Sequence, residues 1–508
     1  MFDAPRNRRS SAGRRPASAL ARLSRRRVLG GAIGAAGVGM VAGGGRSAWS
    51  AAQQPETPPS FVTGERFAEP SVLRSADGRL DVALEAGWGP ATIAGRNVTT
   101  YSYNGEVPGP TLRLRAGETL GVSLTNRMDE MTNFHTHGLH VSSSGNSDNV
   151  LALYEPNIQV DLAFDIPRDG TSGLYIPGFF WYHPHLHGTT SEQVNGGMAG
   201  ALIVEGALDE LPEIKGLTER LFILHAAAFD HDGNANLEGD PTLFVNNQVQ
   251  PTVPIAPGET QRWRILNASP SVFINLALDG HVLHQIASDA NPLREVRSRE
   301  AIVMAPGERV EVLVQGGAAG RYALRSLPWG QDLEFQAQPE YPIATVVSEG
   351  PEVEPTPLPT TLFPIEDLRQ ATIDRRRELV FSQTLDPFAP VIDGHPFDHD
   401  RVDQRVNLGA TEEWVVRNTS SDVHPFHIHV NDFQVVSING EPVDAYSWED
   451  TTPIPAFGEI VIRTRFLDFT GKYVDHWHIL GHEDLGMMGI VEVVDDGSAT
   501  AENATPTA

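Results

Sequence analysis

Short apolar runs separated by turns rich in Gly and Pro recur from about residue 60 to residue 495. Residues 201–204 read Ala-Leu-Ile-Val, and residues 310–314 read Val-Glu-Val-Leu-Val. No long stretch with the 3.6-residue period of an amphipathic helix competes with these runs. Short β-rich runs closed by turns are typical of β-sandwiches, so the pattern predicts an all-β protein.

A similar phrase occurs three times: a turn containing Gly, then a strand, then a stop that begins with Asn. The copies start at residues 115, 256 and 408 and end at Asn126, Asn267 and Asn418. A period of about 150 residues predicts three copies of one β-sandwich. Turn-rich stretches at 206–216 and 349–364 separate them, so the predicted domains are 60–206, 216–348 and 365–495, with a disordered tail at 496–508.

The first 52 residues have the composition of a targeting segment. Residues 24–29 read Ser-Arg-Arg-Arg-Val-Leu, and an apolar stretch rich in Gly and Ala follows to about residue 41. Paired arginines before a mild apolar stretch indicate a twin-arginine export signal. The alternative is a membrane anchor, but the stretch is shorter than the ~20 apolar residues that a span needs. We expect residues 1–52 to be a signal peptide, and the mature chain to be periplasmic or extracellular and outside the membrane.

The cysteine content and the net charge limit the kinds of site and partner that the protein can have. The chain has 18 His and no Cys, which excludes disulfides, thiol nucleophiles and thiolate-bound metals. Residues 1–50 hold 10 Arg and one acid, leaving 28 basic and 64 acidic side chains, a net charge of −36, in the remainder. Nucleic acids and anionic membranes need a basic surface, so both are excluded as partners, whereas metal cations are favoured.

Four His-x-His pairs carry the candidate chemistry. They are His135/His137, His183/His185, His427/His429 and His476/His478. Residues i and i+2 of a strand point to the same face, so each pair presents two imidazoles to one point. A single pair is often incidental. Four pairs from opposite ends of the chain predict a polynuclear site, and all-imidazole ligands suit copper, zinc, iron or nickel.

The segments around these pairs resemble the four copper motifs of the multicopper oxidases, which include laccases, bilirubin oxidases and copper efflux oxidases. They read His-Thr-His-Gly from residue 135, Trp-Tyr-His-Pro-His-Leu-His-Gly from 181, His-Pro-Phe-His-Ile-His from 424 and His-Trp-His-Ile-Leu-Gly-His-Glu-Asp-Leu-Gly-Met from 476. They follow the family's order, and the resemblance covers residues 60–495. It implies three consecutive cupredoxin-like Greek-key β-sandwich domains, with a trinuclear copper cluster between the first and the third.

The resemblance also implies a role for each histidine. The type 2 copper would be held by His135 and His427. One type 3 copper would be held by His137, His183 and His478. The other would be held by His185, His429 and His476.

Two acids near the motifs are candidates for proton transfer. Asp148 follows the first His pair, and Glu483 follows His482 directly. In the resembled family, acids at such places feed protons to oxygen, whose reduction to water consumes them. The alternative is that both are solvated loop carboxylates.

The fourth motif departs from the family at its centre. Trp477 stands where the family has the Cys whose thiolate binds the type 1 copper, the site that takes electrons from substrate. The other ligands expected there are His424, His482 and Met487, which together we call the type 1 pocket. Indole offers no metal-ligating atom, and strand alternation directs it away from the two flanking histidines. We therefore expect the indole to fill the pocket and the type 1 copper to be missing.

Two interpretations of Trp477 stay open. The indole either fills a lost metal site, which leaves a slow oxidase or none, or belongs to a retained electron route. In the second case Trp477 is an oxidisable relay, or an external copper complex or electron carrier docks at the type 1 pocket. A reduced three-copper cluster holds three electrons and O2 needs four, so a further electron source is required.

The sequence as a whole predicts an exported copper oxidase that oxidises phenolic substrates or metal ions and reduces O2 to water. Its activity is expected to be low unless an external copper complex or electron carrier replaces the type 1 site. The alternatives are a non-catalytic copper-binding or storage protein and an envelope scaffold.

Overall fold

The computed structural model describes residues 61–168, 177–237, 239–333, 336–385, 388–443 and 446–496. The predicted signal peptide at 1–52 and nearly all of the predicted tail at 496–508 lie outside these residues. The described chain consists of short strands in six sheets, with two short α-helices. The prediction of an all-β protein is therefore confirmed. The sheets form three pairs, which we call the first, second and third domains.

The first domain contains the strands β1 (Val72–Arg74), β2 (Arg79–Ile93), β3 (Arg96–Tyr103), β4 (Thr111–Arg115), β5 (Thr119–Asn126), β6 (His135–His137), β7 (Gln159–Asp165), β8 (Phe179–His183) and β9 (Gly200–Glu205). One sheet has the order β1-β4-β9-β8-β6 and the other the order β3-β2-β5-β7. Leu80, Val82, Leu84 and Ala86 are alternating buried positions of β2, and they share a core with Leu112 of β4. The period of two places every second side chain between the sheets.

The second domain contains the strands β10 (Thr218–Ala227), β11 (Thr242–Val245), β12 (Thr252–Ile255), β13 (Thr260–Asn267), β14 (Ile274–Leu278), β15 (Leu283–Ser288), β16 (Asn291–Arg299), β17 (Ile302–Met304), β18 (Arg309–Gln315), β19 (Gly320–Ser326) and β20 (Tyr341–Ser348). Its sheets have the orders β11-β10-β13-β18-β15-β16 and β12-β20-β19-β14-β17. β13 is buried along its whole length. Trp263 lies in the apolar core. Its neighbour Arg264 forms ion pairs with Asp209, Glu219 and Glu311, because a buried guanidinium needs charged partners.

The third domain contains the strands β21 (Arg375–Leu385), β22 (Phe388–Ile392), β23 (Gln404–Asn407), β24 (Thr411–Asn418), β25 (His424–Ile428), β26 (Phe433–Ile438), β27 (Glu441–Pro442), β28 (Thr451–Ile454), β29 (Glu459–Arg465), β30 (Gly471–Trp477) and β31 (Met488–Val494). Its sheets have the orders β22-β21-β24-β29-β26-β27 and β23-β31-β30-β25-β28. Trp477 lies in the apolar core of this domain, together with Met487.

The sequence phrase that recurs three times marks the same strand in each domain. β5, β13 and β24 each pair with one parallel and one antiparallel neighbour. Each ends at the Asn of the phrase, whose side-chain oxygen accepts a hydrogen bond from the backbone N–H two residues later. The carboxamide of a buried Asn thus provides a hydrogen-bond acceptor for the backbone N–H where each strand ends. The three domains therefore repeat one Greek-key arrangement, the cupredoxin-like β-sandwich.

Two short helices join the first domain to the third. They are α1 (Thr190–Gly196) and α2 (Leu480–Asp484). The carboxylate of Asp484 in α2 accepts hydrogen bonds from the backbone N–H groups of Gly188, Thr190 and Ser191 at the start of α1. Within the described ranges, no helix has the length and apolarity to cross a bilayer.

Candidate metal centre

Two antiparallel strand pairs bring the histidines into register. In the first domain β6 pairs with β8, and His135 lies opposite His183. In the third domain β25 pairs with β30, and His427 lies opposite His476. The second histidine of each pair lies two residues further on, which returns its side chain to the same face.

The two sets of histidines meet between the first and third domains. The rings of His135 and His429 stack with centroids 4.0 Å apart, and those of His137 and His427 with centroids 3.9 Å apart. All eight side chains are at most 1% exposed. We call these eight residues the histidine cluster: His135, His137, His183, His185, His427, His429, His476 and His478.

Three imidazoles of this cluster point their nitrogens at one another. The Nε2 atom of His185 lies 3.0 Å from that of His476 and 3.1 Å from that of His429, which lies 3.2 Å from that of His476. Each Nε2 offers one in-plane site, so three that converge on one point cannot all be satisfied by hydrogen bonds among themselves. A cation at that point would satisfy all three lone pairs.

Hydrogen bonds on the outer side of the cluster fix which nitrogen faces inward. The Nδ1 atom of His183 donates to the carbonyl of Pro184 at 2.9 Å, and that of His427 to the carbonyl of Asp450 at 2.7 Å. The Nδ1 atom of His135 donates to the Asp148 carboxylate at 2.9 Å. The inner Nε2 atoms of these three rings are buried without a hydrogen-bond partner. A proton held on Nδ1 leaves the Nε2 lone pair free for a metal.

The imidazole ring of His137 has the opposite orientation, with Nε2 on the outer side of the cluster. Its Nε2 atom lies 3.1 Å from the Oδ1 atom of Asp450 and 3.3 Å from the hydroxyl of Thr451, and its Nδ1 atom is buried without a partner. The outer carboxylate therefore leaves Nδ1 as the ligating atom. Gly138 follows at φ +82°, and a Cβ there would collide with the Asp450 carboxylate. The positive φ and the close approach together require glycine at this position.

Burial lowers the pKa of several imidazoles of the cluster and so favours their neutral form. It lowers the pKa of His183 to about 3. Burial and the neighbouring imidazoles lower the pKa well below the usual value in His135, His137, His185, His429 and His478. The neutral ring is the form that binds a metal ion, because its lone pair is not taken by a proton. Eight buried imidazole nitrogen donors therefore fit copper.

The two acids that the sequence singled out contact the outer side of the cluster. Asp148 is 1% exposed, and its Oδ1 atom also accepts the backbone N–H of Thr136 at 2.9 Å. Burial raises the pKa of Asp148 to about 7. Glu483 is fully buried, with its two carboxylate oxygens 3.4 Å from Nδ1 of His185 and 3.2 Å from Nδ1 of His476. One carboxylate thus faces two of the three imidazoles whose Nε2 atoms converge.

The type 1 pocket is filled by indole. The ring of Trp477 lies on that of His424, with centroids 3.1 Å apart and planes within 7°, and its other neighbours include Phe381 at 5.1 Å. The ring of His482 lies 5.3 Å from that of His424. Burial lowers the pKa of His482 to about 4. The indole N–H of Trp477 and the Nδ1 atoms of His424 and His482 are buried without hydrogen-bond partners.

Sequence reasoning missed the groups that orient the cluster from outside the motifs. Asp450 and Thr451 lie more than 300 positions from His137 in the chain. Arg309, from the second domain, forms a two-point ion pair with Asp450. Burial opposes ionisation of Asp450, but Arg309 lowers its pKa below the usual range. No spacing in a single sequence connects these residues, because the fold alone brings them together.

A three-domain cupredoxin-like fold with eight inward-facing imidazoles between its first and third domains defines the class of polynuclear copper proteins. Models of the multicopper oxidase family match residues 85–208, 217–349 and 366–497. The chain belongs to the multicopper oxidase family and is a copper-dependent oxidoreductase that acts on O2. The family resemblance seen in the sequence is thereby confirmed.

Relatives and solved structures span most of the chain. A multicopper oxidase of Staphylococcus haemolyticus is 29% identical over 78% of this chain and 84% of its own length. A protein of Dickeya dadantii named cell division protein FtsP is 28% identical over 72% of this chain and 79% of its own. The structure of a Campylobacter jejuni multicopper oxidase, described as a metallo-oxidase, matches with a TM-score of 0.75 and 26% identity over 85% of this chain and 96% of the other.

Proposed function

We propose that the histidine cluster holds a trinuclear copper site and that the protein oxidises phenolic substrates or metal ions while it reduces O2 to water, without a type 1 copper. The observation that carries the proposal is the set of buried imidazole nitrogens that face one space and have no hydrogen-bond partner. The assignment of ligands follows the family motifs. His135 and His427 hold the type 2 ion, and the two remaining sets of three hold the type 3 pair.

The convergent nitrogens of His185, His429 and His476 support one type 3 site. The second type 3 set is supported by ring contacts: the ring of His478 lies 4.9 Å from that of His137 and 5.7 Å from that of His183. When bound, the copper ions would supply the site at which O2 receives electrons. The protein surrounds that site with buried side chains and thereby excludes bulk water.

Asp148 and Glu483 hold and move protons at the outer nitrogens of the cluster. Reduction of O2 to water consumes protons, which must reach a site that solvent cannot enter. Asp148 lies 2.9 Å from Nδ1 of His135, and its pKa of about 7 lets it accept and release a proton near neutral pH. The position of Glu483 beside the outer nitrogens of His185 and His476 is suited to the same task.

The electron route determines the rate. Trp477 provides no thiolate, so an external copper complex or electron carrier that docks at His424, His482 and Met487 would deliver electrons, with Trp477 as a relay. The Nδ1 atoms of His424 and His482 support this route because neither has a hydrogen-bond partner in the protein. Without such a carrier, oxidation of a phenol is slow.

The cellular location follows from the sequence. We propose that residues 1–52 direct the chain through the twin-arginine route and that the mature protein acts in the periplasm or outside the cell. Folded export suits a protein that carries its metal when it crosses the membrane. The domain boundaries at 206–216 and 349–364 remain predictions.

Oxygen uptake by the copper-loaded protein tests the proposed function. With a phenolic reductant we expect slow uptake in the wild type, none in His185→Ala, and the wild-type rate in His399→Ala, which replaces an exposed histidine of the third domain. A small copper complex should accelerate the wild type more than His482→Ala or Trp477→Phe. Equal acceleration of all three would overturn the electron route. No uptake despite bound copper would instead indicate a storage protein.

A further inference from the structure

The second domain supplies none of the eight histidines, yet one of its side chains ends beside them. Arg309 is the first residue of β18 and is fully buried. Its Nη1 and Nη2 atoms donate to the two carboxylate oxygens of Asp450 in the third domain at 2.8 and 2.6 Å. Its Nε atom donates to the carbonyl of Phe179 in the first domain at 3.2 Å. One guanidinium therefore links all three domains beside the histidine cluster.

Asp450 in turn contacts two imidazoles of the histidine cluster. Its carboxylate accepts from Nε2 of His137 at 3.1 Å, and its backbone carbonyl accepts from Nδ1 of His427 at 2.7 Å. The hydroxyl of Thr451 donates to the same carboxylate at 2.8 Å. The two rings stack on each other, and the inner nitrogen of each has no partner. The carboxylate of Asp450 thus determines which nitrogen of His137 faces inward, and its backbone carbonyl does the same for His427.

Glycine backbone makes room for this arrangement on both sides. A Cβ at Gly138, directly after His137, would collide with both Arg309 and Asp450. A Cβ at Gly307 would lie 3.1 Å from the ring of His478. The turn that precedes β18 therefore packs against one candidate ligand, while Arg309 at its end reaches another through Asp450.

A purely structural role would be to neutralise buried carboxylates. Arg309 also lies 3.4 Å from Asp289, and its Nη1 donates to the carbonyl of Gly307. Arg264 provides the comparison, because it is equally buried in the same domain and pairs with Glu219 and Glu311. Its partners do not contact the histidine cluster through any of their ion pairs. Charge neutralisation is common to both arginines, whereas the link to imidazoles belongs to Arg309.

We propose that Arg309 is a positioning residue of the metal centre: it fixes Asp450 so that Nδ1 of His137 and Nε2 of His427 are the ligating atoms. This inference rests on the proposed function, since it concerns the same copper site. Lysine at position 309 would keep the charge but lose the planar two-point contact and the bond to Phe179. Ligand orientation would then be lost while the charge of Asp450 remained balanced.

The test compares Arg309→Lys with Arg264→Lys, and with Asp450→Asn, which keeps the shape of the carboxylate. Copper affinity is measured by competition with a chelator, and the type 2 copper by electron paramagnetic resonance. We expect Arg309→Lys and Asp450→Asn to bind copper about 10 to 100 times more weakly, with an altered type 2 spectrum. Arg264→Lys should lower the unfolding midpoint and leave affinity and spectrum as in the wild type.

A metal-free measurement separates this inference from the proposed function. Nitrogen-15 resonances of the histidines report which ring nitrogen carries the proton in the apoprotein. His137 should carry it on Nε2 in the wild type and lose that preference in Arg309→Lys and Asp450→Asn. Unchanged tautomers, or wild-type affinity and spectrum in both variants, would overturn the role of Arg309. A wild-type protein that binds no copper, but loses this tautomer preference in the variants, would instead refute the proposed function.

Discussion

Replacing Trp477 with cysteine should recreate a type 1 copper site. The side chain is fully buried between His424, Phe381 and the neighbouring core. Truncation of a buried Trp costs about 3 to 5 kcal/mol of stability. Removal of its unsatisfied indole N–H offsets about 1 to 3 kcal/mol of that loss. In the absence of copper we therefore expect Trp477→Cys to lower the free energy of unfolding by up to about 4 kcal/mol.

Copper binding should restore the stability that is lost when Trp477 is truncated. The new thiolate would join the partnerless Nδ1 atoms of His424 and His482 and the thioether of Met487. A ligand that binds only the folded state adds about 4 kcal/mol when its free concentration is 1,000 times its Kd. Trp477→Cys should then take up one copper more than the wild type, turn intensely blue and unfold near the wild-type midpoint.

The matched control is Trp477→Ala, which makes a similar cavity and offers no thiolate. Denaturant unfolding with and without copper, followed by circular dichroism, compares the two variants. Copper should raise the midpoint of Trp477→Cys by more than that of Trp477→Ala. If folded Trp477→Cys binds no additional copper and stays colourless, then His424, His482 and Met487 do not form a metal site.

Three further predictions concern single carboxylates. Asp148→Asn removes the negative acceptor at His135, and chelator competition should show copper affinity lower by about 10 to 100 times, unlike in the exposed control Asp400→Asn. Burial acts to raise the pKa of Glu219, but Arg264 and Arg113 lower it below its usual value of 4.5. Its contribution to stability is therefore complete above pH 4.5 and is lost as pH falls through the lower folded-state pKa, so urea midpoints of Glu219→Gln should fall less on acidification than those of the wild type. Asp484→Ala leaves three backbone N–H groups without an acceptor and should destabilise the protein by about 1 to 3 kcal/mol in urea unfolding, and an unchanged midpoint would contradict this role.

Repetition and spacing made much of the fold predictable. The recurring phrase ends in Asn126, Asn267 and Asn418, and each Asn stops the same strand of its domain with the same hydrogen bond. Such hydrogen bonds can be predicted because the residues that form them are close together in the sequence. The His-x-His pairs were equally predictable, because residues i and i+2 of a strand point to the same face of the sheet.

The contacts on the outer side of the histidine cluster could not be predicted from the sequence in this way. Asp450 and Arg309 reach His137 only after three domains have packed together, and neither lies in a motif. The sequence predicted that Trp477 lies in the type 1 pocket, where it stacks on His424. It did not predict that the indole N–H lacks a hydrogen-bond partner, because whether a buried polar group has a partner depends on all of its neighbours.

The copper content of the wild-type protein shows whether the histidine cluster holds a trinuclear site without a type 1 copper. Metal analysis of the folded, copper-loaded chain, combined with its visible absorption spectrum, counts the ions and detects a thiolate ligand. We expect three coppers per chain and no intense blue band. A chain that binds no copper, or a blue chain with four, would contradict it.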